Sequence, residues 1–172
     1  MFYQILVVAL VLLPTLLYAG DPPPLSSESL LKTGQELAEK GHFLEALNLL
    51  EQARDILEID GPPETPVYAE VLYALAETKI KGRLYQNFPA HYVKTALQDI
   101  QAANKLRERL PDIIPHRIAE GYYLEGYIQK RFFMRMDQAR ACFEKATKVD
   151  PGFAAAKREL SELIPLEESS SK

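Results

Sequence analysis

The chain has 172 residues, 47% hydrophobic and 26% charged, the proportions of one globular domain. Its 20 basic and 24 acidic side chains leave a formal charge of −4, which gives no electrostatic drive to coat nucleic acid or anionic lipid. The one cysteine, Cys142, excludes an internal disulfide framework and a cysteine-based zinc cluster.

Residues 2–19, FYQILVVALVLLPTLLYA, carry no charge and are almost entirely apolar, with Pro14 interrupting the run. The length suits the apolar region of a secretory signal and falls just short of a comfortable membrane span. The expectation is a signal peptide over 1–19, ending at Ala19, or an N-terminal anchor if the segment is kept. Either places the remainder outside the cytoplasm, periplasmic or secreted, with membrane contact only through an uncleaved N-terminus. No cysteine follows, so a lipoprotein anchor is excluded. Residues 20–25 read as a stiff spacer, because Pro22-Pro23-Pro24 holds an extended conformation.

Three helical pairs follow. Ser26, Ser27 or Ser29 caps a helix in which Leu30, Gly34 and Leu37 recur at helical spacing. Gly41-His42-Phe43 makes a turn, and residues 45–58 form a second helix with Ala46, Leu50 and Ala53 at i, i+4 and i+7. Gly61-Pro62-Pro63 ends the pair. Thr65-Pro66 opens the next helix, striped by Leu72, Leu75, Ala76 and Ile80. After Gly82, residues 83–89 form an insertion bearing Tyr85 and Phe88; it is either a functional loop or a cover over the helix ends. Ala96, Ile100 and Ala103 repeat the i, i+4, i+7 set, and Leu110-Pro111 stops it. Pro115 opens a helix to about Arg131, dominated by Tyr122, Tyr123, Gly126 and Tyr127. Phe132-Phe133-Met134 crosses the next turn, buried there or exposed as a dimer contact, which leaves the oligomeric state open. The set recurs as Ala139, Phe143 and Ala146 before Asp150-Pro151. A last amphipathic helix over 153–164 sets Ala156, Leu160 and Leu163 against Lys157, Arg158, Glu159 and Glu162, and residues 165–172 read as a disordered tail.

Chemistry-bearing residues are scattered. His42, His91 and His116 fall in different pairs, each at a turn or a helix start, and no nucleophile-elbow, zinc-protease, phosphate-loop or dinucleotide motif occurs. Glu51, Asp55, Glu167 and Glu168 read as solvated charge, His42 as a turn residue, and Cys142 beside Phe143 as inert packing. The chain is therefore read as non-enzymatic, with no cofactor and no metal.

The run of Tyr122, Gly126, Ala139, Phe143, Ala146 and Pro151 resembles the tetratricopeptide repeat (TPR). The first pair matches at Gly34, Ala46 and Ala53, and the second at Leu72, Leu75, Ala76, Ala96 and Ala103. Leu30, Leu72 and Tyr122 stand where the motif carries Trp. The intervals from Ala46 to Ala96 and from Ala96 to Ala139 exceed the family's roughly 34-residue period, which calls for longer helices or loops. Other helical-hairpin solenoids share the alternation. The resemblance implies an all-α solenoid of three TPR-like repeats plus a capping helix over 26–164. It also implies a partner, a protein or peptide, held in a concave groove lined by the first helix of each pair. The lining would be Glu28, Leu31 and Gln35, then Glu70, Tyr73 and Glu77, then Glu120, Tyr123, Tyr127, Lys130 and Arg131. Lys130 and Arg131 would face an acidic group of the ligand, while Tyr123 and Tyr127 either bind or pack on the capping helix. Leu31 and Gln35 stand where chaperone-tail binders carry Lys and Asn, so that ligand is not implied. The alternative is a small molecule or lipid in an apolar pocket.

Overall fold

A computed structural model describes residues 26–59 and 63–163. The signal or anchor segment, the spacer, the tail, Ile164, Gly61 and Pro62 lie outside the described residues. Among these residues the chain is all-α, with seven helices and no strand: α1 (Ser27–Glu39), α2 (Phe43–Leu57), α3 (Pro66–Tyr85), α4 (His91–Arg107), α5 (Pro115–Phe133), α6 (Met136–Val149) and α7 (Ala154–Leu163). None of them is long and apolar enough to cross a membrane.

Local chemistry sets the helix ends. The Ser26 side chain accepts from the Ser29 backbone N–H at 3.2 Å, and Thr65 does the same for Tyr68 at 3.2 Å, each satisfying a donor that the first turn leaves free. Pro66 and Pro115 occupy first-turn positions, where a missing N–H costs nothing. Gly41 adopts φ +84°, a left-handed turn that starts α2 at Phe43 rather than at Glu45. The long intervals go into helix length, since α3 has 20 residues, α4 has 17 and α5 has 19 against 13 for α1. Residues 83–85 of the expected insertion are the last turn of α3, and only 86–90 are loop. Phe88 folds back there, buried against Gly82, while Arg83 Nη1 donates to its carbonyl at 2.9 Å. Tyr85 stays exposed and stacks on Phe43 at 6.1 Å, and Gln86 Nε2 donates to the Gly41 carbonyl at 2.7 Å, tying the first two pairs together.

Each helix packs on its chain neighbour, and α1 touches α3 as α3 touches α5. The triplets Ala46/Leu50/Ala53, Ala96/Ile100/Ala103 and Ala139/Phe143/Ala146 are all fully buried. Opposite them stand Gly34, whose missing Cβ would lie 2.8 Å from Leu50 Cγ, and Gly126, whose Cβ would lie 2.6 Å from Phe143 Cε1. Ala76 is the counterpart in α3, in one cluster with Ile100. Helix α3 is buried on two sides. Val71, Ala74 and Leu75 join the core of α1 and α2, whereas Leu72, Ala76 and Ile80 join that of α4 and α5. The third core gathers Tyr122, Ala139, Phe143, Ala146, Ala156 and Leu163, so α7 closes the last apolar face. Cys142 is buried in α6, and desolvation pushes its thiol up to about 12, where it is unreactive at neutral pH.

Two predictions follow from this packing. Lys79, 3% exposed on α3, pairs with Asp99 of α4 at 2.6 Å, and desolvation raises the Asp99 carboxyl above its ordinary range despite the lysine. Removing one partner strands the other charge, so Lys79→Met is expected to cost about 3 kcal/mol in urea unfolding. Lys79→Met combined with Asp99→Leu should recover most of that loss. Gly126→Ala gains helix propensity yet drives a methyl into the fully buried Phe143 ring, with the Ala139 carbonyl 3.1 Å away. A net loss of about 1–3 kcal/mol is expected by the same assay.

Candidate functional site

The residues expected to line a groove lie along α1, α3 and α5, and most are half-buried, as befits a face that no other helix covers completely. On α1, Glu28 is exposed in the first turn. Its carboxylate is lowered first by a backbone N–H at the helix start and then by Ser26. Leu31 packs on the edge of the first core, and Gln35 is half-buried.

On α3 the expected residues belong to a buried polar seam. Arg107 of α4 is fully buried. Its Nη2 donates to Glu70 at 2.8 Å and its Nη1 to the Arg117 carbonyl at 2.8 Å. The guanidinium also lies 4.5 Å from the centre of the Tyr73 ring. Burial, followed by the charges of Glu77 and Glu120, raises the Tyr73 hydroxyl well above its ordinary value, so it stays protonated and can donate. The structure thus brings Glu70, Tyr73, Glu77 and Glu120 into one electrostatic neighbourhood with Arg107 and Arg117. Glu70 is occupied by Arg107, and Glu120 accepts from Arg117 Nη1 at 2.9 Å.

The α5 residues gather at the other end. Tyr123 packs between Phe143 (5.8 Å) and Phe153 (5.6 Å), the residue that leads into α7, so its ring is part of the packing under the cap. Tyr127 meets Phe132 edge-on at 6.4 Å. Lys130 is saturated by two carboxylates of α7, Glu159 at 2.7 Å and Glu162 at 3.2 Å. Arg131 is exposed and makes no ion pair among the described residues. Tyr127, Lys130, Arg131, Met134, Met136 and Glu159 enclose an open cleft of about 470 Å³. Phe132 and Phe133 are half-buried and Met134 is exposed, which divides the aromatic turn between packing and surface.

Sequence reasoning missed Arg107 and Met136, and took Met134 only as part of a turn that is buried or makes a dimer contact. Arg107 continues the buried stripe of α4 at i+4 from Ala103, and a cation on an apolar stripe opposite Glu70 of the facing helix is the signal that marks such a seam. Met134 and Met136 become neighbours of Tyr127 only through the turn geometry and the docking of α7. The three histidines stand apart. His42 faces Glu45 at 3.5 Å, His91 stacks on Tyr92, and His116 Nδ1 lies 2.7 Å from Asp150 while its ring meets Phe153. Among the described residues no group of three or more His, Cys, Asp or Glu side chains is arranged to hold a metal ion.

No family model matches the chain, and no curated protein matches it.

Asp150 is lowered first by its hydrogen bond with His116 and then by the Gly152 N–H, a 2.8 Å contact. A carboxyl whose folded value is depressed contributes stability above its unfolded value, near 4, and loses it as pH falls through the folded value. Thermal melts between about pH 5 and 2 should therefore show a shallower acid slope for Asp150→Asn than for the parent chain.

Proposed function

We propose that this chain is a non-catalytic interaction module, a TPR-like array of three helical hairpins and a cap, acting outside the cytoplasm as an adaptor. A peptide or partner segment lies against the common face of α1, α3 and α5. The observation that carries the reading is the threefold recurrence of one packing device. A small residue on the first helix of each pair (Gly34, Ala76, Gly126) shares a core with a fully buried Ala–large–Ala triplet on the second. Repeated units that stack in series leave their first helices side by side, and such arrays bind along that face. The contacts of α1 with α3 and of α3 with α5 support this arrangement. The extracytoplasmic placement rests on the uncharged segment 2–19.

The half-buried polar side chains on the face suit recognition of an extended segment through hydrogen bonds. Tyr73 holds its proton, Gln35 offers donors and an acceptor, and Glu77 has a surface pair with Lys81 that a ligand can exchange. The face is tested with the full chain and a Gln35→Arg/Glu77→Arg variant, both side chains partly exposed so that the fold is spared. Each is immobilised against membrane and envelope extracts, after circular dichroism shows equal helicity and melting temperature. A partner retained by the parent and weakened at least about tenfold by the variant supports the reading, as loss of one or two interfacial hydrogen bonds would do. A partner held equally by both would move the interface off this face.

A further inference from the structure

We propose that the chain covers its own cleft: residues 164–166, which follow α7, dock between the C-terminal end of α5, the α5–α6 turn and α7. The contact is intramolecular and stands apart from the common face of α1, α3 and α5. Tyr127, Lys130, Arg131, Met134, Met136 and Glu159 line the cleft, which encloses about 470 Å³, ample for two aliphatic side chains.

The charges around it cancel, Lys130 and Arg131 against Glu159 and Glu162, so the cleft does not select an occupant by charge. What it offers is apolar surface in contact with water. Met134 is 71% exposed, and Tyr127 and Met136 are half-buried beside it. Thioethers are soft and flexible, and they adapt to whatever aliphatic group is laid against them. The complement of such a cleft is a short apolar segment.

The place where the chain leaves α7 identifies that segment. Leu163, the last residue of α7, is buried in the third core. Its carbonyl accepts from Arg140 Nη2 at 3.4 Å, and Arg140 stands one turn from Met136 on the same side of α6. Glu159, a wall of the cleft, stands one turn before that exit, and Lys130 reaches both Glu159 and Glu162. The exit therefore opens beside the cleft. The next residues are Ile164-Pro165-Leu166, followed by the polar run Glu167-Glu168-Ser169-Ser170-Ser171-Lys172. Pro165 disfavours helix at Ile164 and favours extended chain, in which side chains two apart share a side. Ile164 and Leu166 then face the same wall, and three extended residues span about 10 Å. A tether this short holds the segment at an effective concentration on the order of millimolar, so even a small apolar contact is populated ahead of a dilute free partner. The polar run from Glu167 onward gains nothing in such a cleft and marks where docking ends.

The full-length chain is tested through its methionines, which stand only at positions 1, 134 and 136. Carbon-13 methyl spectra and the rate of methionine oxidation by dilute peroxide, scaled to free methionine, are compared between the parent and Ile164→Ser/Leu166→Ser. The expected result is displaced Met134 and Met136 methyl signals in the variant. Its Met134 should also oxidise faster by at least about threefold, at equal helicity by circular dichroism. Met134→Gly approaches the same contact from the other side. It leaves α7 and the tail sequence intact, and the left-handed backbone at Met134 suits glycine, so the fold is spared. This variant should speed cleavage after Glu167 and Glu168 by a glutamate-specific protease at least about threefold, because cleavage follows the population of the undocked tail.

Unchanged methyl signals in Ile164→Ser/Leu166→Ser, or a Met134 that oxidises at the same rate in both proteins, would overturn the proposal. So would tail cleavage indifferent to Met134→Gly, since a tail that makes no contact with Met134 is cut at one rate in both. Methyl signals of the parent that move with protein concentration would give the cleft to a second copy of the chain and sink the idea in the same way. None of these results touches the common-face reading, whose Gln35→Arg/Glu77→Arg variant lies on α1 and α3.

Discussion

Close approach of the two helices in each hairpin is the constraint on which the rest of the structure depends. Gly34 lies against Leu50 and Gly126 against Phe143, with no room for a side chain between. That contact sets the axis separation of each pair, and the alanines on either side of Leu50 and Phe143 keep it close over two turns. Once the pairs are locked, only one stripe of each second helix remains to meet the next pair. Helix α3 answers by being apolar on two sides, sending Val71 and Leu75 one way and Leu72 and Ile80 the other. The array continues for as long as each pair has such a two-sided first helix. It stops where α7 covers the last face with Ala156 and Leu163 and turns Lys157 and Arg158 outward.

Apolar packing alone would leave the stacking of successive pairs loosely specified, since one aliphatic stripe slides over another at little cost. Two buried polar contacts remove that freedom. Lys79 and Asp99 fix α3 against α4, and Arg107 reaches both Glu70 on α3 and the Arg117 carbonyl on α5. Arg107 is the more informative of the two because it is fully buried and binds three helices into one register. Any slip would strand a guanidinium without partners. Among the described residues, its Nε and the Asn104 Oδ1 beside it have no hydrogen-bond partner, so the seam accepts a desolvation cost in return for register. The same seam holds Tyr73 in place on the common face. In the proposed reading, recognition there would be physically linked to the stacking of the second and third pairs.

How much of this was legible in the sequence depends on how far each feature reaches. The Ala–large–Ala triplets were readable because their i, i+4, i+7 spacing is a property of one helix. The proline and serine boundaries were readable because they act within a turn. Residues 83–85 were misread as loop because Gly82 suggested a stop. The structure shows instead that Gly82 is a packing glycine, making room for the Phe88 ring. Arg107 escaped notice because a cation on an apolar stripe reads as a surface residue until its carboxylate partner, far along the chain, is known. Helical spacing also placed Tyr123 and Tyr127 on one face without saying what α7 would do to it. Tyr123 went under the cap and Tyr127 stayed beside the cleft.

Helix α7 does more than close a core. Its Glu159 and Glu162 take up Lys130, while Arg131 makes no ion pair among the described residues. Phe153, the residue that leads into it, draws in both Tyr123 and His116, so much of the aromatic surface that the sequence offers on α5 is consumed in packing. Beside the cap, Arg131 and Met134 stay exposed while Tyr127 and Met136 are half-buried, at the turn where Met134 holds a left-handed backbone. A terminal helix of this kind spends most of the α5 surface on packing, so what stays in solvent there is decided by where α7 docks.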